Sequence, residues 1–243
     1  SLNLVLSTQP FKHLRAIKSV EEHQKLRRSA AIGCLGYEFV LQNLEPGISE
    51  REISKLLRIE LLKQGADDVA FNPIIAFGKN SSYPHHTPGD KRLKKGEMVL
   101  VDLGVKRDMY CSDMTRSFLW HGDDPELIEI WNIVYEAQKR ALSMCKAGVS
   151  IQAIDDISRG YIKEKGFGAA YKHGLGHGLG MEVHECPHLS ILPECILRSG
   201  EVITIEPGIY IEKGGVRIED TVIITDDGCE IITKSPKVLQ VMS

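Results

Sequence analysis

Gly96-Glu-Met-Val-Leu-Val-Asp102-Leu-Gly104 returns 104 positions later as Gly200-Glu-Val-Ile-Thr-Ile-Glu206-Pro-Gly208. Asp102 falls on Glu206. Further along, Asp113-Met-Thr115 falls on Glu219-Asp-Thr221 at an offset of 106, so a second carboxylate also falls on a carboxylate. Upstream of each stretch lies a pair of helical patterns. Apolar spacing predicts a helix over residues 20–44, stopped by Pro46-Gly47. A second begins at the capping box Ser49/Glu52, offers Ile53, Leu56, Leu57, Ile59, Leu61 and Leu62 as a broad apolar face, and ends at Gly65. The plan recurs from Asp124-Pro125, an N-cap followed by a first-turn proline, to about Cys145, and again from about Ser150 to Gly166. Gly47/Gly148, Ile48/Val149, Ser49/Ser150, Ile53/Ile154 and Gly65/Gly166 all share the offset 101. A drift from 101 to 106 is what small loop insertions produce, so the sequence predicts an internally duplicated helix–helix–strand–strand unit related by a pseudo-two-fold axis.

Residues 98–103 and 111–119 read as strands around a polar turn, and a hairpin centred between Arg107 and Asp108 would pair Asp102 with Asp113. The same arithmetic around Glu212-Lys213 would pair Glu206 with Glu219. Four carboxylates gathered on apolar strands repel one another and resist ionisation, so a cationic partner is required. Arg116 and Arg217 cannot neutralise four groups, whereas divalent ions can, with a shared carboxylate bridging two of them. The segment His173-Gly-Leu-Gly-His177-Gly-Leu-Gly-Met-Glu-Val-His184-Glu185 offers nitrogen ligands on a backbone that glycine lets come close.

Other patterns carry less. His184-Glu-Cys-Pro-His188 matches the H-E-x-x-H zinc pattern, but Pro187 opposes the helix which that chemistry needs. The glycine run lacks the G-x-G-x-x-G register, no G-x-S-x-G elbow is present, and residues 91–95 read as a solvated basic turn. Asn80-Ser-Ser fits a glycosylation acceptor, which carries no weight in a cytoplasmic chain. A formal charge of −3 and a pI near 6.3 give no field that would draw nucleic acid or an anionic membrane. No apolar run reaches the roughly 18 residues of a membrane span, and the opening Ser-Leu-Asn-Leu-Val-Leu lacks the flank of a signal peptide. Six scattered cysteines without C-x-x-C spacing read as free thiols, and the chain is expected in the cytoplasm.

With these residues in place, the sequence resembles the pita-bread metallopeptidases, which include methionine aminopeptidase, Xaa-Pro aminopeptidase and Xaa-Pro dipeptidase (prolidase). The resemblance runs from about Leu14 to the C-terminus. It rests on Pro84-His85-His86-Thr87, Val101-Asp102-Leu-Gly, Ser112-Asp113-Met-Thr-Arg-Ser-Phe118, Gly176-His177-Gly, Val183-His184-Glu185, Thr204-Ile-Glu206-Pro-Gly and Val216-Arg-Ile-Glu219-Asp-Thr221. It implies an α/β (α+β) pita-bread fold, with a curved, mainly antiparallel sheet and helices on one side. It further implies two divalent ions, manganese first and cobalt or zinc as alternatives. Asp102 would be a ligand of one ion, His177 of the other, Asp113 and Glu219 bridges, and Glu206 both ligand and proton shuttle. His85 and His184 would contact the substrate or the tetrahedral intermediate, His173 would line the pocket, and Arg217 would brace the site. One metal position is then all-carboxylate and the other carries a histidine.

Pro-His-His-Thr-Pro and Gly-Val-Arg-Ile-Glu-Asp-Thr resemble the proline-specific branch. The implied reaction is hydrolysis, by a metal-bridged water, of the peptide bond before proline. Methionine aminopeptidase and a non-catalytic peptide-binding homologue are the alternatives. The expected partner is a peptide, with a homodimer possible in principle. Residues 1–19, including Leu14-Arg-Ala-Ile-Lys-Ser-Val, are expected to be a linker stub from a further N-terminal domain. The catalytic domain would span residues 20–243, with halves at about 20–119 and 120–230.

Overall fold

The computed structural model describes residues 11–189 and 195–241. The apolar opening at residues 1–6, and residues 1–10 of the expected linker stub, lie outside the described residues. α1 (Lys12–Ala16) leads to α2 (Val20–Asn43) and α3 (Glu50–Lys63), then β1 (Asp68–Val69), β2 (Ile74–Phe77), β3 (Glu97–Leu103), β4 (Val105–Arg107), β5 (Tyr110–Cys111) and β6 (Met114–Trp120). The chain continues through α4 (Pro125–Met144), α5 (Ile151–Glu164), β7 (Gly176–Gly178), β8 (Glu185–Leu189), β9 (Val202–Ile205), β10 (Gly208–Ile211), β11 (Gly214–Arg217), β12 (Asp220–Ile224), β13 (Cys229–Ile231) and β14 (Gln240–Val241).

Two sheets carry the two halves. One has the order β14-β6-β3-β2 and the other β13-β12-β9-β7-β8, antiparallel throughout except where β14 runs alongside β6. They meet where Glu219 N donates to Thr115 O at 3.1 Å and where Ser117 Oγ bonds both the N–H and the carbonyl of Arg217. α2 and α3 pack on the first sheet, with Ile53, Leu57 and Leu61 fully buried beside Ile75, Val99 and Phe118. Each such side chain contributes about 1.5–3 kcal/mol of burial. α4 and α5 pack likewise over Ile203, Ile205 and Val222.

The repeat predicted from the sequence is present in the backbone. Both second helices begin after a left-handed glycine, Gly47 at φ 87° and Gly148 at φ 84°. Both helices end at another, Gly65 at 98° and Gly166 at 89°. Gly47 N donates to Leu93 O at 3.0 Å and Gly148 N to Leu197 O at 2.9 Å, so even the loop closures match. A β-carbon at such φ values would be strained, which is why glycine punctuates both halves at the same places.

Two expectations need correction. The apolar face of α3 is narrow: Leu56, Ile59 and Leu62 are 42%, 52% and 52% exposed, because only the i, i+4 line through Ile53, Leu57 and Leu61 meets the sheet. The first hairpin turns one residue later than predicted. Asp108 and Met109 take positive φ values of 51° and 70°, a two-residue mirror-image turn, so Asp102 pairs with Thr115 rather than Asp113. Ser112 and Asp113 interrupt the strand between β5 and β6, which frees Asp113 from the ladder. The second hairpin keeps the predicted register, with Gly208 opposite Arg217 and Ile205 opposite Asp220. Glu206 and Glu219 thus stand opposite each other in the gap between the paired segments.

Candidate metal centre

Asp102, Asp113, His173, His177, His184, His85, Glu206, Arg217 and Glu219 all line one cavity of about 760 Å³. Ligand atoms of Asp113, His177 and Glu219 lie within 4.8 Å of one another. His177 Nε2 stands 3.4 Å from Glu206 Oε1 and 3.6 Å from Asp113 Oδ2. Asp102 is tied to Arg217. Its Oδ2 accepts from Arg217 Nη2 at 2.6 Å, while its Oδ1 is buried with no hydrogen-bond partner.

The electrostatics follow from crowding in a dry place. Burial, then the charges of Glu219, Asp102 and Glu206, hold the Asp113 carboxyl well above the usual range. Burial, then Glu206 and Asp102, do the same to Glu219. Burial raises Glu206 to about 7, against the pull of Arg217, and raises Asp102 despite its Arg217 bond. Burial lowers both His177 and His173 to about 4, so both are neutral at ordinary pH. With His177 Nδ1 at 3.1 Å from Gly178 O, the proton belongs on Nδ1, and Nε2 presents its lone pair towards the carboxylates. A buried carboxylate oxygen without a donor, four carboxylates resisting ionisation and an aimed imidazole lone pair form a donor set that fits divalent cations.

Several residues that sequence reasoning did not single out hold this set. Thr204 Oγ1 donates to Glu206 Oε1 at 3.3 Å and accepts from His177 N at 3.0 Å. Thr115 Oγ1 donates to Glu219 Oε2 at 2.6 Å and accepts from Arg217 Nε at 3.1 Å. Arg217 Nη1 donates to Tyr210 Oη at 2.9 Å, and Tyr210 Oη lies 2.8 Å from His173 Nε2. Arg217 is thus a buried fork joining Asp102, Thr115 and Tyr210, which a lysine could not reproduce. Behind Glu219, Asp220 accepts from Arg116, Thr233 and Gln138 and pairs with Lys237. The threonines carried a readable signal, since each lies two residues from a candidate ligand in alternating strand sequence. Asp220 lies inside the Glu219-Asp-Thr221 match, and Tyr210 carried no signal.

His184 is exposed, with its ring 4.3 Å from that of His177, and His85 is exposed on the loop between β2 and β3. The H-E-x-x-H stretch runs into β8, so no helix presents that pattern.

A sequence profile of metallopeptidase family M24 matches residues 24–226. The chain is 42% identical to the Xaa-Pro dipeptidase of Pyrococcus furiosus over 94% of its own length and 66% of that protein. It is also 42% identical to an uncharacterized peptidase of Staphylococcus aureus (strain MW2), over 93% of its own length and 65% of the relative's. Among solved structures, Xaa-Pro dipeptidase from Bacillus anthracis superposes with a TM-score of 0.94 at 41% identity, over 97% of this chain and 67% of that one. X-Pro aminopeptidase from Thermotoga maritima MSB8 gives 0.92 at 39%, over 95% and 66%. The chain spans about 65% of the length of the first curated relatives it matches. Its fold and its motifs agree: the chain belongs to metallopeptidase family M24, the pita-bread metallopeptidases.

Proposed function

We propose that the protein is a dinuclear metal-dependent exopeptidase that hydrolyses the peptide bond before proline, as an Xaa-Pro aminopeptidase or dipeptidase. The observation that carries the reading is the buried set of Asp102, Asp113, His177, Glu206 and Glu219 around one cavity, whose carboxyls resist ionisation until cations join them. The names of the relatives support the substrate class. Asp102 with Asp113 and Glu219 would hold one ion, and His177 and Glu206 with the same two shared carboxylates the other; manganese is the ion proposed, with cobalt and zinc as alternatives. When bound, such ions supply Lewis acidity, making water a nucleophile near neutral pH and polarising the scissile carbonyl.

The chain's own groups do the rest. Glu206 would take and return the proton at the cavity. Thr204 Oγ1 already donates to its Oε1, so Oε2 is the oxygen left to carry that proton. His184 and His85 supply donors at the cavity for an oxyanion. Arg217 and Tyr210 keep His173 in place at the cavity wall. Phe71, Ile74, Pro84 and Val183 give the cavity an apolar side on which a pyrrolidine ring can rest. All six cysteines are free, consistent with a cytoplasmic location, and no described helix is long and apolar enough to cross a membrane. A homodimer is the assembly to test by light scattering.

The deciding experiment compares an Xaa-Pro and Xaa-Pro-Xaa panel with a Met-Ala peptide in added manganese, cobalt or zinc. Metal-activated cleavage before proline is expected. Cleavage of Met-Ala alone would make the protein a methionine aminopeptidase, and absence of both bound metal and hydrolysis would make it a peptide-binding homologue. Glu206→Gln is expected to abolish turnover while the chain stays folded.

A further inference from the structure

Glu50 is the first residue of α3, and its side chain is completely buried. Its carboxylate accepts four hydrogen bonds. Oε1 takes Phe77 N at 2.9 Å and Asn80 Nδ2 at 2.8 Å; Oε2 takes His86 Nε2 at 2.8 Å and Gly89 N at 3.0 Å. The donors come from both ends of residues 77–89, the segment that carries Pro84, His85, His86 and Thr87 into the cavity wall. In this segment Pro84 O also accepts from Arg217 Nη1 at 3.3 Å, so the loop is fastened to the metal-site arginine on one side and to Glu50 on the other.

The fold does not itself require this carboxylate. In the second half of the repeat the same position, first in its helix after a serine N-cap, is Ile151, 1% exposed. An apolar side chain therefore satisfies the helix–sheet junction. A buried carboxylate costs free energy unless its lone pairs are filled, and here every one is filled by the loop. The asymmetry between Glu50 and Ile151 falls on the half whose loop carries His85.

We propose that Glu50 is a positioning residue, which through His86, Asn80 and two backbone amides sets the loop that presents His85 to the substrate. The kinetic part of this inference rests on the peptidase reading above. Glu50→Gln keeps the shape but replaces one acceptor oxygen by an N–H₂ group, so a buried backbone N–H, that of Phe77 or of Gly89, faces a donor and the loop loses its fix. Misplacement by about 1 Å at a reacting centre costs about 10–100-fold in rate. The test measures kcat, KM, bound metal and hydrogen exchange for Glu50→Gln, His86→Ala and the double variant. The expected result is a loss of kcat of that size in each single variant and no further loss in the double. Metal content should be unchanged, and faster exchange should be confined to residues 77–89.

A kcat/KM within twofold of wild type, additive losses, a loss explained by missing metal, or exchange that rises throughout the chain would each overturn the proposal. If the wild type itself cleaves nothing, the peptidase reading fails. Exchange confined to residues 77–89 would then still support the tether, and unchanged exchange would overturn it.

Discussion

Glu206 makes a quantitative case that the site trades stability for chemistry. Its carboxyl rises from 4.5 to about 7 on folding. At about 1.36 kcal/mol per unit, this amounts to roughly 3 kcal/mol of preference for the protonated form. The sign follows from linkage. A carboxyl raised by folding favours the native state below its unfolded pKa, and the advantage is lost as pH climbs through the folded pKa. Metal-free wild type should therefore weaken relative to Glu206→Gln, by about 2 kcal/mol between about pH 5 and about pH 7.5.

The comparison must be a difference between the two proteins. His173 and His177, lowered to about 4, give each protein an opposing loss of stability as pH falls, and it cancels in the difference; Asp113 and Glu219, which the Glu206 charge raises, are raised less in the variant, and this adds to the difference with the same sign. The assay is urea unfolding in chelator at both pH values, then again with manganese. Metal at about 100 times its Kd adds about 2.7 kcal/mol to a protein with an intact site. Manganese should thus restore wild type over the variant, which has lost a ligand. A difference independent of pH in chelator, or unmoved by metal, would refute the account of Glu206 as a destabilised carboxyl that metal rescues.

Metal should load in two steps of unequal affinity, because His177 stands beside Asp113 and Glu206 while Asp102 is bonded to the Arg217 guanidinium; calorimetric titration giving one class of site would count against this. His177→Ala should remove one step and leave the other. Binding should release protons, since folding raises Asp113 and Glu219 and bound cations favour their ionised forms, so affinity falls as pH falls; titration in buffers of different ionisation heat measures the release. Gly176→Ala should destabilise the protein by several kcal/mol, or prevent folding, because its β-carbon would lie 2.0 Å from Thr204 O on the neighbouring strand; a melting temperature near that of wild type would refute the close approach.

The duplication, the helix pairs and the second hairpin were legible because they rest on local signals: caps, punctuating glycines and alternation. The first hairpin turns one residue later than its sequence predicts because the turn uses Asp108 and Met109 in the left-handed region, where Asp is tolerated but Met gives no sequence warning. That slip changed which residue faces Asp102 without scattering the site, because Asp113 leaves the ladder and returns to the cluster through the interruption before β6. The supporting hydrogen bonds were less legible. Glu50 reaches residues 77–89, Tyr210 reaches His173, and Asp220 reaches Lys237, contacts that exist only once distant segments meet.

Register also explains where the symmetry of the site breaks. Leu100 of β3 corresponds to Thr204 of β9 at the offset 104, and its neighbour on β2 is Ala76. In the second half, the pairing of Gly178 with Ile203 places His177 beside Thr204, where His177 N bonds Thr204 Oγ1. Ala76 and His177 are therefore equivalents at the offset 101 that relates the helices. The first half fills this place with a fully buried methyl, while the second fills it with an imidazole whose lone pair points at the carboxylates. Glycines flank that imidazole, because β-carbons at Gly176 and Gly178 would fall 2.0 Å and 2.3 Å from neighbouring carbonyl oxygens. The carboxylates thus come from the repeat, and the inequality of the two metal positions comes from one strand whose backbone was thinned to bring a histidine close.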